Sequence, residues 1–293
     1  MTPKTAEKIR TNGTKAWFLA ARPKTLSGAV APVAVALSAA WTDGGRLAWQ
    51  PAVLCALFAL LMQIDANFVN DYLDFMNGTD GRDRLGPERA CAQGWITPGA
   101  MRRGIAVATV ASCLAGLPLV WWGGWAMLPV GATCVVACFL YTTSLSRIAM
   151  GDLLVLLFFG IVPVCTTYYL QTRTATLPVV LAAVAMGLAT DCLLLVNNYR
   201  DRETDRRAGK RTLVVLIGSR ATEWLYLLFG LAAVLLVASQ TVLPVLYLPL
   251  HLSNALRMRR LRAGRALNAV LGRTALAILL FAVLYSLGRI LHI

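Results

Sequence analysis

The chain has 293 residues, 58% of them hydrophobic and only 14% charged, with a mean hydropathy of +0.64. That balance excludes an ordinary soluble domain and predicts a polytopic membrane protein. A formal net charge of +14 would suit a nucleic-acid binder, but Lys and Arg gather in alternate loops as the positive-inside bias requires, so no nucleic-acid partner is expected.

From the N-terminus, the first 24 residues carry Lys4, Lys8, Arg10, Lys15, Arg22 and Lys24. They contain no apolar core leading to a small-residue cleavage site, so no removable signal peptide is predicted. A helix rising about 1.5 Å per residue needs roughly 20 residues to cross about 30 Å of hydrocarbon. Runs of that kind fall at 17–41, 51–73, 101–121, 125–146, 151–171, 177–199, 219–238, 241–258 and 272–291, which predicts nine transmembrane helices. The runs are continuously apolar rather than alternating, which selects helices over a barrel. Pro118 and the Trp121-Trp122-Gly123-Gly124 group punctuate the third and fourth. Residues 224–256 contain no Asp, Glu, Lys or Arg and are divided near Ser239-Gln240-Thr241 on length alone. With this division 25 of the 28 basic residues fall on one side, leaving Arg46, Arg173 and Arg289 for the other. The N-terminus is therefore placed in the cytoplasm and, after an odd number of crossings, the C-terminus outside.

The chain has two histidines, His251 and His292, far apart, and seven scattered cysteines with no CxxC, a pattern that argues against paired-histidine haem, zinc hydrolysis and a Ser/His/Asp site. Cys134 and Cys138 share a helix face and read as small buried hydrophobes; Cys91, in a cytoplasmic loop, is expected to stay a free thiol without a role. The carboxylates are more informative. VNDYLD at 69–74 returns as VNNYRD at 196–201, each at the end of an apolar run and each followed by a charged loop. Asn197, Asp201 and Asp205 are spaced i, i+4, i+8 and fall within about 80° on one face of a continuous helix. Asn70 and Asp74 repeat the first interval, and a break at Asn77-Gly78 is needed to bring Asp80 back to them. Each arm thus offers one amide oxygen and two carboxylates, hard donors that suit Mg²⁺ held together with substrate phosphates. Arg82, Arg84 and Arg89 follow the first arm and Arg206, Arg207 and Lys210 the second, supplying cations for a diphosphate. Asp65 and Asp191 fall inside spans, where an ionised carboxylate costs about 2.5–3.5 kcal/mol on insertion scales, and are expected to line a cavity.

NDYLDFMNGTDGRDRLGPER and NNYRDRETDRRAGKRTL resemble the two Asp-rich motifs of the UbiA superfamily of intramembrane prenyltransferases. GPER (86–89), ARPKTL (21–26) and AGKRTL (208–213) are more particularly similar to the branch that acts on 1,4-dihydroxy-2-naphthoate in menaquinone biosynthesis. The resemblance implies an all-α membrane protein, one domain over 1–293 with two related halves, whose nine helices surround a central cavity open sideways to lipid. It implies metal ligands Asn70, Asp74, Asp80, Asn197, Asp201 and Asp205, with Asp74, Asp201, Lys210 and Asp152 in catalysis. Arg22, Lys24, Asp71, Arg82, Arg84, Arg89, Tyr141, Asn198 and Arg206 would bind substrates, Asp71 from behind the ligands because it is about 100° from Asn70 around the helix. Tyr72, Tyr141, Tyr168, Tyr169 and Tyr199 are candidate stabilisers of an allylic carbocation. The implied reaction is Mg²⁺-dependent transfer of a polyprenyl group from its diphosphate to 1,4-dihydroxy-2-naphthoate, with loss of CO₂ and diphosphate. It would run at the cytoplasmic face of a bacterial inner membrane, with the bilayer as surroundings and no obligate protein partner. Other aromatic acceptors of the same superfamily (4-hydroxybenzoate, haem or a chlorophyll precursor) remain the alternative, and a transporter the more distant one.

Overall fold

The structure is a computed structural model describing residues 9–78, 84–143 and 148–293. Among the described residues all regular structure is helical. A short helix, α1 (Thr14–Ala20), precedes α2 (Pro23–Gly44), which begins with proline in its first turn. Proline fits there because its missing N–H would have no intrahelical partner. Next come α3 (Trp49–Met76), α4 (Pro98–Gly116), α5 (Leu119–Gly123) and α6 (Met127–Thr143). The fifth expected span is broken: α7 (Gly151–Leu156) passes through a π-helical turn at Leu157–Ile161 into α8 (Val162–Thr172). The chain closes with α9 (Leu177–Arg207), α10 (Leu213–Val237), α11 (Leu248–Leu261) and α12 (Leu267–Leu291).

Each of the nine expected segments is helical over most of its length. Among the described residues, seven are long and apolar enough to cross a membrane by themselves. The expected spans at 125–146 and 241–258 correspond to α6, of 17 residues, and to a 3₁₀ turn at Leu243–Tyr247 continuing into α11, of 14 residues, both below that length. Gly218, at φ 81°, breaks the start of α10, which matches the expected start of span seven at 219.

Two helices outrun the bilayer. At about 1.5 Å per residue, the 28 residues of α3 and 31 of α9 measure on the order of 42 and 46 Å, well beyond the roughly 30 Å hydrocarbon core. The polar arms occupy the last turns of these two helices. α9 is buried along most of its length and packs against α7, α8, α10 and α12. Its close approach to the π turn is possible because Gly160 meets Gly187; a Cβ on Gly160 would stand 2.5 Å from the Ala183 carbonyl. At the end of the bundle opposite the arms, Asp43 accepts from Arg289 at 2.6 Å and from the Tyr168 hydroxyl at 2.7 Å, while Tyr285 donates to Gln240 at 2.7 Å. These bonds hold the far ends of α2, α8 and α12 together.

Candidate functional site

The helices α2, α3, α4, α6, α7, α8 and α9 enclose a cavity of about 940 Å³. Its body is apolar, with Phe58, Met62, Val135, Leu154, Phe158 and Phe159 in the wall. One end is polar and gathers both arms: Asn70 and Asp74 from α3, Asn197, Asn198, Asp201 and Asp205 from α9, with Arg22, Arg84, Arg89 and Lys210 around them. Tyr141 and Asp152 also line it.

The first arm is held from downstream. α3 ends at Met76, and Gly78 takes φ 65°, the break the sequence required. Asp80 and Arg82, together with the side chain of Lys24, lie outside the described residues. The returning loop sends Arg89 back, and its Nη2 donates to Asp74 Oδ2 at 2.8 Å. Asp71 stands behind the ligand face. It is 1% exposed, absent from the cavity wall, and its two oxygens accept the backbone N–H groups of Ala90 and Cys91 at 2.8 Å each. One helical step of about 100° turns it from the ligand face toward the loop. Asn67, which sequence reasoning missed, donates to the Ala21 carbonyl at 3.0 Å and to Thr25 Oγ1 at 3.1 Å. It thereby docks the segment of Arg22, whose backbone is left-handed at φ 51°. Such a conformation costs a non-glycine residue on the order of 1 kcal/mol or more and here aims the side chain at the cavity.

The second arm is held mostly from within. α9 runs unbroken through Asp205, so the three ligand candidates keep their common face. Gly209, at φ 70°, turns the chain so that Lys210 returns to Asp205, 3.5 Å from Nζ to Oδ1. Arg206 does not line the cavity: it is exposed and pairs with Glu203 at 3.5 Å. Arg200 was missed. It is 3% exposed, donates to both oxygens of Asp201, and reaches Asn197 Oδ1 at 2.8 Å. The helical angle would have separated the two, since Arg200 is about 60° from Asn197 around the helix and Arg206 about 180°.

The remaining candidates divide plainly. Asp65 and Asp191 do not line the cavity, because each is about 120–140° around its helix from the arm's first asparagine. Asp65 instead accepts from Thr109 at 2.6 Å. Among the five tyrosines only Tyr141 lines the cavity. Tyr168 is bonded to Asp43 at the far end, Tyr199 to Glu223 at 2.8 Å, Tyr169 faces Arg173, and Tyr72 packs under α1 and α4. Cys91 forms no disulfide among the described residues and is buried.

Among the described residues no three His, Cys, Asp or Glu side chains form a closed metal group. What the arms present is open and mixed: amide oxygens of Asn70 and Asn197 beside carboxylates of Asp74, Asp201 and Asp205, all at one end of one cavity. That donor set fits Mg²⁺, which is held by few protein oxygens and completes its shell with water and phosphate.

The sequence profile of the UbiA prenyltransferase family matches residues 29–268. A 1,4-dihydroxy-2-naphthoate octaprenyltransferase of Haemophilus influenzae is 31% identical over 98% of this chain and 99% of its own length. One of the same name from Mycobacterium tuberculosis is 36% identical over 91% of this chain and 94% of its own. A solved UbiA homologue from Archaeoglobus fulgidus, bound to DMAPP and Mg²⁺, superposes with a TM-score of 0.60 at 14% identity, covering 94% of this chain and 99% of that one.

Proposed function

The chain belongs to the UbiA prenyltransferase family, and from that premise we propose that it transfers a polyprenyl group, of the octaprenyl class, from its diphosphate to 1,4-dihydroxy-2-naphthoate, releasing CO₂ and diphosphate to give a demethylmenaquinol. One observation carries this reading: both oxygen-bearing arms and four cationic side chains meet at one end of a cavity whose remainder is apolar. A prenyl diphosphate has that same division between headgroup and tail.

Asn70, Asp74, Asn197, Asp201 and Asp205, with Asp80, would hold Mg²⁺, which when bound neutralises diphosphate charge and makes it a better leaving group. Arg22, Arg84, Arg89 and Lys210 bind the remaining phosphate oxygens. The tail lies along the apolar wall, which excludes water from the allylic carbon as the C–O bond ionises. Tyr141 presents its ring at the polar end, where a π face stabilises developing positive charge. Asp152 takes the acceptor hydroxyl proton as the naphthoate ring attacks, and returns it to that oxygen as loss of the ring carboxylate as CO₂ restores aromaticity. Asn198 contacts the substrate headgroup.

The assigned arrangement is one membrane domain over 1–293 with nine crossings, the arms and N-terminus in the cytoplasm and the C-terminus outside, in a bacterial inner membrane. The test is incubation of purified protein with octaprenyl diphosphate, Mg²⁺ and a panel of acceptors, followed by mass analysis of the lipid product. Prenylated naphthoquinol from the dihydroxynaphthoate arm supports the reading; product only from 4-hydroxybenzoate, haem or a chlorophyll precursor moves the chain to another branch, and no product with any acceptor sinks it.

A further inference from the structure

We infer that Arg200 is a positioning residue that fastens the second arm to the loop behind the first, and that position 86 is glycine to admit its guanidinium. The inference rests on the reading above for what Asn197 and Asp201 do, but its contacts stand independently of it.

Arg200 is buried yet absent from the cavity wall, whereas its partners Asn197 and Asp201 line the cavity. It therefore stands behind them. Its planar fork is always charged and places its donors at fixed angles. Nε donates to Asp201 Oδ1 at 2.8 Å, Nη2 to Asp201 Oδ2 and to Asn197 Oδ1, and Nη1 to Asn268 Oδ1 at 2.7 Å. Each acceptor oxygen keeps lone pairs beyond those the guanidinium uses. The same fork fixes the rotamers of both arm residues, as outer partners of metal ligands commonly do.

Asn268, one residue into α12, donates in turn to the Leu85 carbonyl at 2.8 Å, and Arg265 reaches the Arg84 carbonyl at 3.4 Å. The loop passes directly over the guanidinium. A Cβ on Gly86 would stand 2.8 Å from Arg200 Nη2 and 3.2 Å from Cζ. Gly86 does not have a positive φ, so its backbone accepts any residue and only the space requires glycine. The guanidinium cannot yield readily, since its bonds tie it on three sides. One cation thus joins α9, the start of α12 and the loop that delivers Arg89 to Asp74, setting the separation of the arms.

The test is a double-mutant cycle on the full-length protein with Gly86→Ala, Arg200→Lys and both together. Two quantities are read: affinity for Mg²⁺ with inorganic pyrophosphate by calorimetry, and the melting midpoint without ligand. Each single variant is expected to weaken Mg²⁺-pyrophosphate binding about tenfold. The double variant is expected to bind no more weakly than Arg200→Lys, because the lysine lacks the fork that the added methyl strikes. Additive losses, or wild-type affinity in Gly86→Ala, overturn the proposal. If Arg200→Lys fails to fold, Asn268→Ala replaces it; freeing one side of the guanidinium should relieve the cost of Gly86→Ala, and an unrelieved cost overturns the proposal. A wild-type protein that binds no Mg²⁺-pyrophosphate fails the prenyl-transfer reading instead, and the ligand-free midpoints then decide the clamp: non-additive shifts support it and additive shifts overturn it.

Discussion

The two arms share a pattern but are built differently. Aligning 69–74 with 196–201 sets Asn70 against Asn197, Asp71 against Asn198, Leu73 against Arg200 and Asp74 against Asp201. In the second arm the cation that orients the carboxylate is its chain neighbour, and the helix continues beneath it. In the first arm leucine holds that position, the helix stops, and the cation arrives from Arg89 at the end of a loop. Asp71 pays for that detour by pinning the loop through two backbone N–H groups, whereas its counterpart Asn198 is free to line the cavity. A repeated signature therefore preserves the candidate ligand oxygens while their supports diverge.

If the arms are equal partners despite that difference, Asp74→Ala and Asp201→Ala should each lower prenyl transfer by on the order of 10²–10³-fold, as loss of a principal electrostatic group does. Product formation by membranes holding equal amounts of protein measures this, and near-normal turnover in either variant would break the equivalence. Chelation should likewise abolish turnover, and added Mg²⁺ restore it; full activity in excess chelator would remove the metal from both arms. Next in size is Arg89→Lys. It keeps the charge but loses the fork on Asp74, and should reduce turnover about tenfold by weakening the first arm only. Asp71→Asn should act on stability, costing about 1–3 kcal/mol for the weakened bonds to Ala90 and Cys91. Faster proteolysis in the 84–91 loop, with a lower melting midpoint, would show it. The smallest effect is expected from Arg206→Ala, which removes only an exposed pair with Glu203; an exposed ion pair contributes about 0–1 kcal/mol, and activity should stay within about twofold.

Much of the site was legible because helical periodicity is local. Asn197, Asp201 and Asp205 share a face by arithmetic, and α9 is long enough to carry that face out of the bilayer intact. The break at Gly78 was legible for the same reason, since glycine marks it in the chain itself. The angle around α9 also held the distinction between Arg200 and Arg206, although loop charge alone obscured it. Two other expectations depended on a partner far away in sequence: Tyr168 looks like an aromatic wall until Asp43 claims its hydroxyl, and Asp65 bonds Thr109 of α4 instead of lining the cavity. Asp71 reads from its helical angle as a group behind the ligand face, but only the fold shows that Ala90 and Cys91 are what it holds.

Composition and periodicity determined by themselves that this chain is a helical membrane protein, because apolar runs in lipid must satisfy their backbone groups within each segment. They also determined that two polar helix ends carry hard oxygen donors. Only the tertiary structure decided which charged side chains reach the cavity and which brace it from behind. That choice is made by contacts between segments remote in sequence, where a buried guanidinium must find acceptors on several elements at once, and no local spacing records which elements those will be.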